Sequence, residues 1–255
     1  MNNNTCDTRR NFLKKIGLAG IVMANSPVLM ASASKKKSAQ GDGMVFLFQG
    51  DSITDGNRGR NTDPNHIMGH GYAFSIASRL GAGFPEKRFQ FYNRGISGNK
   101  VSDLALRWQK DTLDLQPDVL SILIGVNDVN AIIRNQGGTP MQFEETYKSL
   151  LDQCLTKFPD ILFVLCQPFI LPVGKVKDNW EMWHAEIIKR QTIVERLANS
   201  YNAVYVPFQE VMDKACLKAP EDYWMWDGFH PTVAGHELLT REWIRKVSKR
   251  LPFIK

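Results

Sequence analysis

Four short runs carry the side chains that could perform acyl transfer: "GDSITDG" from Gly50, "GISGN" from Gly95, "GVND" from Gly125 and "DGFHP" from Asp227. A serine attacks an acyl carbon only when a base takes its hydroxyl proton. His230 is the candidate base for Ser52. Asp227, three residues earlier, is spaced to turn back onto the second imidazole nitrogen and fix the tautomer. Taken singly, Ser52 could cap a helix and the Asp-x-x-His could be surface chemistry. Their joint occurrence after apolar runs favours a nucleophile, a base and an orienting acid.

The negative charge that develops on the attacked carbonyl oxygen needs donors already in place. The Ser52 N–H, the Gly98 N–H and the Asn127 side-chain amide are the candidates, although Asn127 also suits a simple turn. Glycine at 98 would let backbone approach a substrate closely. Asp51, Ile96 and Trp226 are candidate substrate contacts, and Trp226 beside Asp227 could restrict the acyl pocket to a small group. Trp224, Trp226 and Phe229 crowd the histidine loop, either as surfaces for sugar rings or as packing. Position 54 is threonine, so the Gly-x-Ser-x-Gly elbow of α/β-hydrolase lipases is absent.

In this order, the four runs resemble the sequence blocks of the SGNH, or GDSL, hydrolase superfamily. The longer pattern is similar to its acetylxylan esterase branch, through "RGISGNKVSDLALRWQKDTLDLQPDVLSILIGVNDV" and "WDGFHPTVAGH". The resemblance spans Gly50 to His230. It implies a Ser-His-Asp esterase without metal or cofactor, with Ser52, Asp227 and His230 as the triad and Ser52, Gly98 and Asn127 as the oxyanion hole. It also implies an acetylated carbohydrate as substrate, and related esterases make a homo-oligomer plausible. The loop "GRNTDPNHIMGHG", Gly59 to Gly71, departs from the pattern.

These residues need a scaffold that brings four distant runs to one edge. Five nearly continuous apolar runs, 45–50, 89–95, 119–128, 161–168 and 203–208, read as strands covered on both faces. Helix-like stretches at 72–80, 101–110, 142–157, 180–199 and 232–250 alternate with them. Regular alternation predicts an α/β fold: a three-layer α/β/α sandwich on a flavodoxin-like, five-stranded parallel sheet. Ligands of such sheets lie beyond the carboxyl ends of the strands, where Ser52 and the other runs fall.

Composition sets the wider limits. A chain of 255 residues with 43% hydrophobic and 23% charged residues suits one α/β domain plus a leader. The net charge of +6 is concentrated at the start, where Arg9, Arg10, Lys14 and Lys15 face one acid, Asp7. Without residues 1–33 the balance is +3, and no aromatic-plus-basic motif accompanies it, so nucleic-acid binding is not expected. "TRRNFLKKIGLAG" resembles a twin-arginine export signal, with Ala31-Ser32-Ala33 as the cleavage site. An uncleaved anchor is the other reading of that leader.

The organisation expected is therefore an export signal over 1–33, a polar linker over 34–43 and the hydrolase domain over 44–255. The mature protein would work in a bacterial periplasm or outside the cell, without stable membrane insertion. Cys154, Cys166 and Cys216 read as free thiols. His66 and His70, near Asp63, raise a zinc reading. The glycines at 69 and 71 argue against a helix presenting both rings, so a cleft-side loop is preferred. His236 reads as structural, and His184 as a helix-face or substrate-rim residue. The function expected is removal of O-acetyl groups from polysaccharide or oligosaccharide. A lipid or thioester hydrolase of the same superfamily is the alternative, and a catalytically dead carbohydrate-binding protein is a third class.

Overall fold

A computed structural model describes residues 43–255. The leader assigned to 1–33, and all of the linker but Gly43, lie outside the described residues. In chain order the elements are β1 (Val45–Gly50), α1 (Ser52–Asp55), α2 (Tyr72–Gly83), β2 (Gln90–Asn93), α3 (Val101–Asp111), β3 (Val119–Leu123), α4 (Val126–Ile133) and α5 (Pro140–Lys157). There follow β4 (Leu162–Cys166), α6 (Gly174–Lys177), α7 (Trp180–Ser200), β5 (Val204–Val206), α8 (Phe208–Cys216), α9 (Glu221–Trp224) and α10 (Val233–Val247).

The strands pair in parallel in the order β2-β1-β3-β4-β5. From β1 the chain crosses to β2 on one side, then returns to place β3 on the other. The order therefore reverses between β1 and β3, which opens a crevice at their carboxyl ends. Ser52 follows β1 and Asn127 follows β3, so the crevice lies between two of the predicted site residues.

Side chains alternate across the sheet, as the period of a strand requires. Phe46, Phe48, Val119, Val164, Cys166 and Val206 share one core layer with residues of α2, α8 and α10. Leu47, Leu120, Ile122, Phe163 and Leu165 share the opposite layer with residues of α3, α5 and α7. Both faces are dry, which explains why the strands read as continuous apolar runs. Trp243 of α10 is fully buried, and its indole N–H donates to Ser121 Oγ on β3 at 2.9 Å. That bond satisfies the polar edge of a large aromatic inside the core.

Every predicted strand and helix is present, with shorter bounds for four of the strands. The run 119–128 is strand only to Leu123; its "VND" opens α4, so Asn127 sits on a helix rather than at a strand terminus. Helices α4 and α8 are short and directly follow strands, so their apolar residues merge with the strand signal in the sequence. Cys154 and Cys166 are buried free thiols and Cys216 is a half-buried one. Among the described residues, no helix is long and apolar enough to cross a membrane.

Candidate active site

The end of β1 explains its own sequence. A Cβ at Gly50 would lie 2.3 Å from the Leu123 carbonyl oxygen and 2.4 Å from Thr54 Oγ1, so only glycine lets β1 turn beneath the end of β3. Asp51 then caps α1, its Oδ1 accepting from the Ile53 N–H at 3.0 Å. Ser52 is the first helical residue. Its N–H therefore has no intrahelical acceptor, and its side chain is half-buried at the crevice.

His230 comes to Ser52 from the far end of the chain, with Nε2 2.7 Å from Ser52 Oγ. Its Nδ1 is 2.8 Å from Asp227 Oδ2, and its backbone N–H donates to Asp227 Oδ1 at 2.9 Å. The ionised Asp227 can only accept, so the proton on the ring belongs to Nδ1 and Nε2 is left to accept from the serine. Burial pushes the Asp227 carboxyl up, but the His230 hydrogen bonds and charge outweigh that and hold it below the usual carboxylate range. Lys175 adds a cation behind the pair: its Nζ is 3.6 Å from Asp227 Oδ2, and its N–H donates to the Asp227 carbonyl at 3.1 Å.

The second block forms a turn beside Ser52. Ile96 N–H donates to the Gly50 carbonyl at 3.1 Å, and Asn99 N–H closes the turn on the Ile96 carbonyl at 3.1 Å. Gly98 has φ of +83°, the left-handed position such a turn reserves for glycine, and a Cβ there would meet nothing within 4 Å. The missing side chain thus faces open space. Asn127 Nδ2 donates to the Asn99 carbonyl at 3.2 Å, which orients the amide and leaves its second N–H available. Ser52, Gly98 and Asn127 accordingly line the rim of one crevice with three candidate donors.

Several supports were not singled out in the sequence. Asn93 Nδ2 donates to the Thr54 and Met68 carbonyls at 2.7 and 2.9 Å, while its Oδ1 accepts from Gly95 N–H, tying the first two blocks together. Asp55 accepts from Ser97 N–H at 3.0 Å and from the Arg60 guanidinium, which with its other hydrogen bonds overcomes burial and keeps the carboxyl low. Arg107 Nε donates to Asn99 Oδ1 at 2.9 Å. The Asn93 contacts to Thr54 and Met68 and the Asp55 contact to Ser97 join groups 25 to 42 residues apart, so spacing alone gave no signal for them.

The candidate substrate contacts separate. Asp51, read as a possible substrate contact, is 1% exposed and faces the fold, so it is corrected to a buried support: its Oδ1 is committed to the α1 cap, and its Oδ2 has no hydrogen-bond partner. Burial raises its carboxyl to about 7, and burial likewise raises that of Asp128 on α4 to about 6. Ile96 is half-buried in the turn. Trp226 is 64% exposed and lies parallel over His230, with centroids 5.8 Å apart and planes 17° apart. Phe229 instead packs inward on Trp183, and Trp224 is half-buried with its indole N–H on the Ala219 carbonyl.

The remaining histidines take plain roles. His66 Nδ1 is 2.7 Å from Asp63 Oδ2 within the Gly59–Gly71 loop, and among the described residues no cluster of three or more His, Cys, Asp or Glu side chains is placed to hold a metal ion. His236 is pushed down to about 4, chiefly by burial, and its Nδ1 accepts from Tyr72 N–H at 3.1 Å. His184 stacks on Trp180 along the exposed face of α7.

Comparison with known proteins places this geometry. The GDSL-like Lipase/Acylhydrolase family matches residues 48–238, a span that includes all four blocks. The chain belongs to that family. As a member it is a hydrolase of the esterase type. It is 30% identical over 220 residues to an acetylxylan esterase of Geobacillus stearothermophilus, covering 81% of this chain and 95% of the relative. A crystal structure of an acetylxylan esterase from the same organism superposes with a TM-score of 0.71 at 31% identity, over 82% of this chain and 95% of that one. A GDSL-like protein of Parabacteroides merdae gives a TM-score of 0.78 at 38% identity, over 81% and 96% of the two chains. The family thus shares the five-stranded parallel sheet with helices on both sides.

Proposed function

We propose that this GDSL-family hydrolase is a serine esterase that removes O-acetyl groups from acetylated polysaccharide or oligosaccharide of the xylan type. The carrying observation is the hydrogen-bonded chain Ser52–His230–Asp227 lying directly under an exposed, parallel Trp226. Ser52 Oγ attacks the acetyl carbon as His230 Nε2 takes its proton. The oxyanion develops towards the N–H groups of Ser52 and Gly98 and the Asn127 amide. His230 returns the proton to the departing sugar oxygen, leaving an acetyl-enzyme. A water then attacks, again giving its proton to His230, and acetate leaves as Ser52 regains its hydrogen.

The resemblance to acetylxylan esterase supports the acetyl and sugar specificity, and an exposed indole beside the base gives a sugar ring a flat apolar face. The Arg9-Arg10 leader supports a place of action in the periplasm or outside the cell. The mass of the N-terminus of exported protein tests processing after Ala33.

The deciding experiment measures acetate release from acetylated xylan and acetylated xylo-oligosaccharides, beside p-nitrophenyl esters of increasing acyl length, with Ser52→Ala as control. Release from the sugars with a sharp fall beyond the acetyl ester is the expected result. Silence on the sugars with turnover of longer acyl chains would assign the site to lipid or thioester substrates.

A further inference from the structure

Beside the triad, on the Asp227 side, lies a cleft of about 230 Å³. This is below the roughly 300–1,000 Å³ of a complete small-molecule pocket, so it suits one ring of a larger substrate. Its apolar floor is Phe229, next to His230, stacked on Trp183 at 5.8 Å. Its rim carries Asn130 and Arg134 from α4 and its C-terminal cap, and Lys175 from α6. None of the lining residues is acidic.

The two cations differ in what they already hold. Lys175 Nζ faces Asp227 at 3.6 Å and lies 5.7 Å from the Phe229 ring centroid, so it sits between the triad acid and the cleft. The Arg134 guanidinium is exposed and has no hydrogen-bond or ion-pair partner among the described residues; only its backbone N–H is used, on Asn130. Asn127, Asn130 and Arg134 are spaced i, i+3 and i+7, hence on one face of α4. That face leads from the candidate oxyanion donor to the free guanidinium over about 10 Å of helix rise.

From this we infer that the cleft binds a carboxylate-bearing sugar, a uronic acid residue of the same substrate chain. The inference rests on the carbohydrate reading above. The planar fork of Arg134 matches a carboxylate through two parallel hydrogen bonds, and Lys175 supplies a second positive charge. Asn130 offers neutral hydrogen bonds to ring hydroxyls, and Phe229 closes the apolar side. The enzyme thereby favours acetyl groups that lie near an acidic branch.

Two measurements on the full chain test this. The first compares kcat/KM for acetylated xylo-oligosaccharides with and without a uronic acid branch, at low and high salt, for wild type and Arg134→Gln. We expect about a 10-fold preference for the acidic substrate, carried by KM, weakened by salt and lost in Arg134→Gln. Equal kcat/KM for acidic and neutral sugars, with both deacetylated, overturns the cleft and leaves the esterase reading intact. The second titrates Ser52→Ala protein with unacetylated uronate-bearing, sulfated and neutral oligosaccharides by calorimetry. Selective binding of the uronate sugar supports the cleft even if no acetylated sugar is turned over, the outcome that would sink the esterase reading alone. Tighter binding of the sulfated sugar, or no discrimination, overturns the carboxylate assignment.

Discussion

Ser52 Oγ and His230 Nε2, 178 residues apart in the chain, lie 2.7 Å apart in the fold. That contact joins the end of β1 to the loop before α10, and it is short enough for direct proton transfer. Ser52→Ala removes the attacking oxygen with a minimal change of volume at a half-buried position. Turnover of p-nitrophenyl acetate should fall by about 10⁴-fold or more, with the thermal unfolding curve unchanged. A purified variant retaining a tenth of wild-type activity would remove Ser52 as nucleophile.

Asp227 binds His230 through both oxygens, one on the ring and one on the backbone. Asp227→Asn keeps the shape but offers a donor where the ring needs an acceptor, so the imidazole is driven to the wrong tautomer. The expected loss in kcat is about 10³- to 10⁴-fold with KM little changed. Asp227 is held low in the fold. Its contribution to stability is present above the ordinary carboxylate range and is lost as pH falls through that range to the folded value beneath it. The Asn variant should therefore lose less stability than wild type as pH is lowered through and below the ordinary carboxylate range, which urea unfolding would measure.

Much of this was legible in the sequence because the strands are dry on both faces. Val45–Gly50 matches its predicted bounds, since a glycine forced by contact with Leu123 punctuates it. The Ser52–His230–Asp227 contacts were legible because Asp227 and His230 are local partners and Ser52 stands at a strand end. What spacing could not reveal was the inward turn of Asp51 and the work of Asn93, Arg107 and Lys175. Asn93 and Lys175 work on groups that only the crossovers bring close, and the burial of Asp51 and the Arg107–Asn99 bond depend on how β1, α3 and the turn between them pack, for which a single sequence has no local pattern. Helix α4 was hidden for a different reason, as Val126, Val129 and Ile132 continue the apolar run of β3.

Asn127 donates one amide N–H to the Asn99 carbonyl and keeps the other for the crevice. In the proposed mechanism, Asn127→Ala deletes a donor aimed at charge that exists only in the transition state. The loss should fall on kcat, about 10²- to 10³-fold, while KM for the aryl acetate stays within about 2-fold. An equal rise in KM instead would make Asn127 a ground-state binding residue.

Trp226 is stacked on His230 and open to solvent. Trp226→Ala removes a flat face from the sugar side of the base. Loss of one aromatic stacking contact is worth about 0.5–1.5 kcal/mol, so KM for acetylated oligosaccharide should rise about 3- to 10-fold relative to p-nitrophenyl acetate. If both substrates suffer alike, Trp226 orders the histidine loop and does not touch sugar.

Asp51 is a buried carboxyl and Asp128 a half-buried one behind the crevice, raised to about 7 and about 6. A folded value above the ordinary 3.8 means that the native state holds its proton where the unfolded chain has released it. Stability from such a group is full at low pH and is lost as pH rises through the folded value, here from about pH 4 to about pH 7. For Asp51 the loss is on the order of 4 kcal/mol. Asp51→Asn keeps an oxygen for the Ile53 N–H and cannot ionise. Its stability relative to wild type should therefore climb between pH 4 and pH 7 and level off above. Urea unfolding midpoints across that range give the slope directly. A difference that does not change with pH would show that Asp51 ionises as freely in the fold as in the unfolded chain.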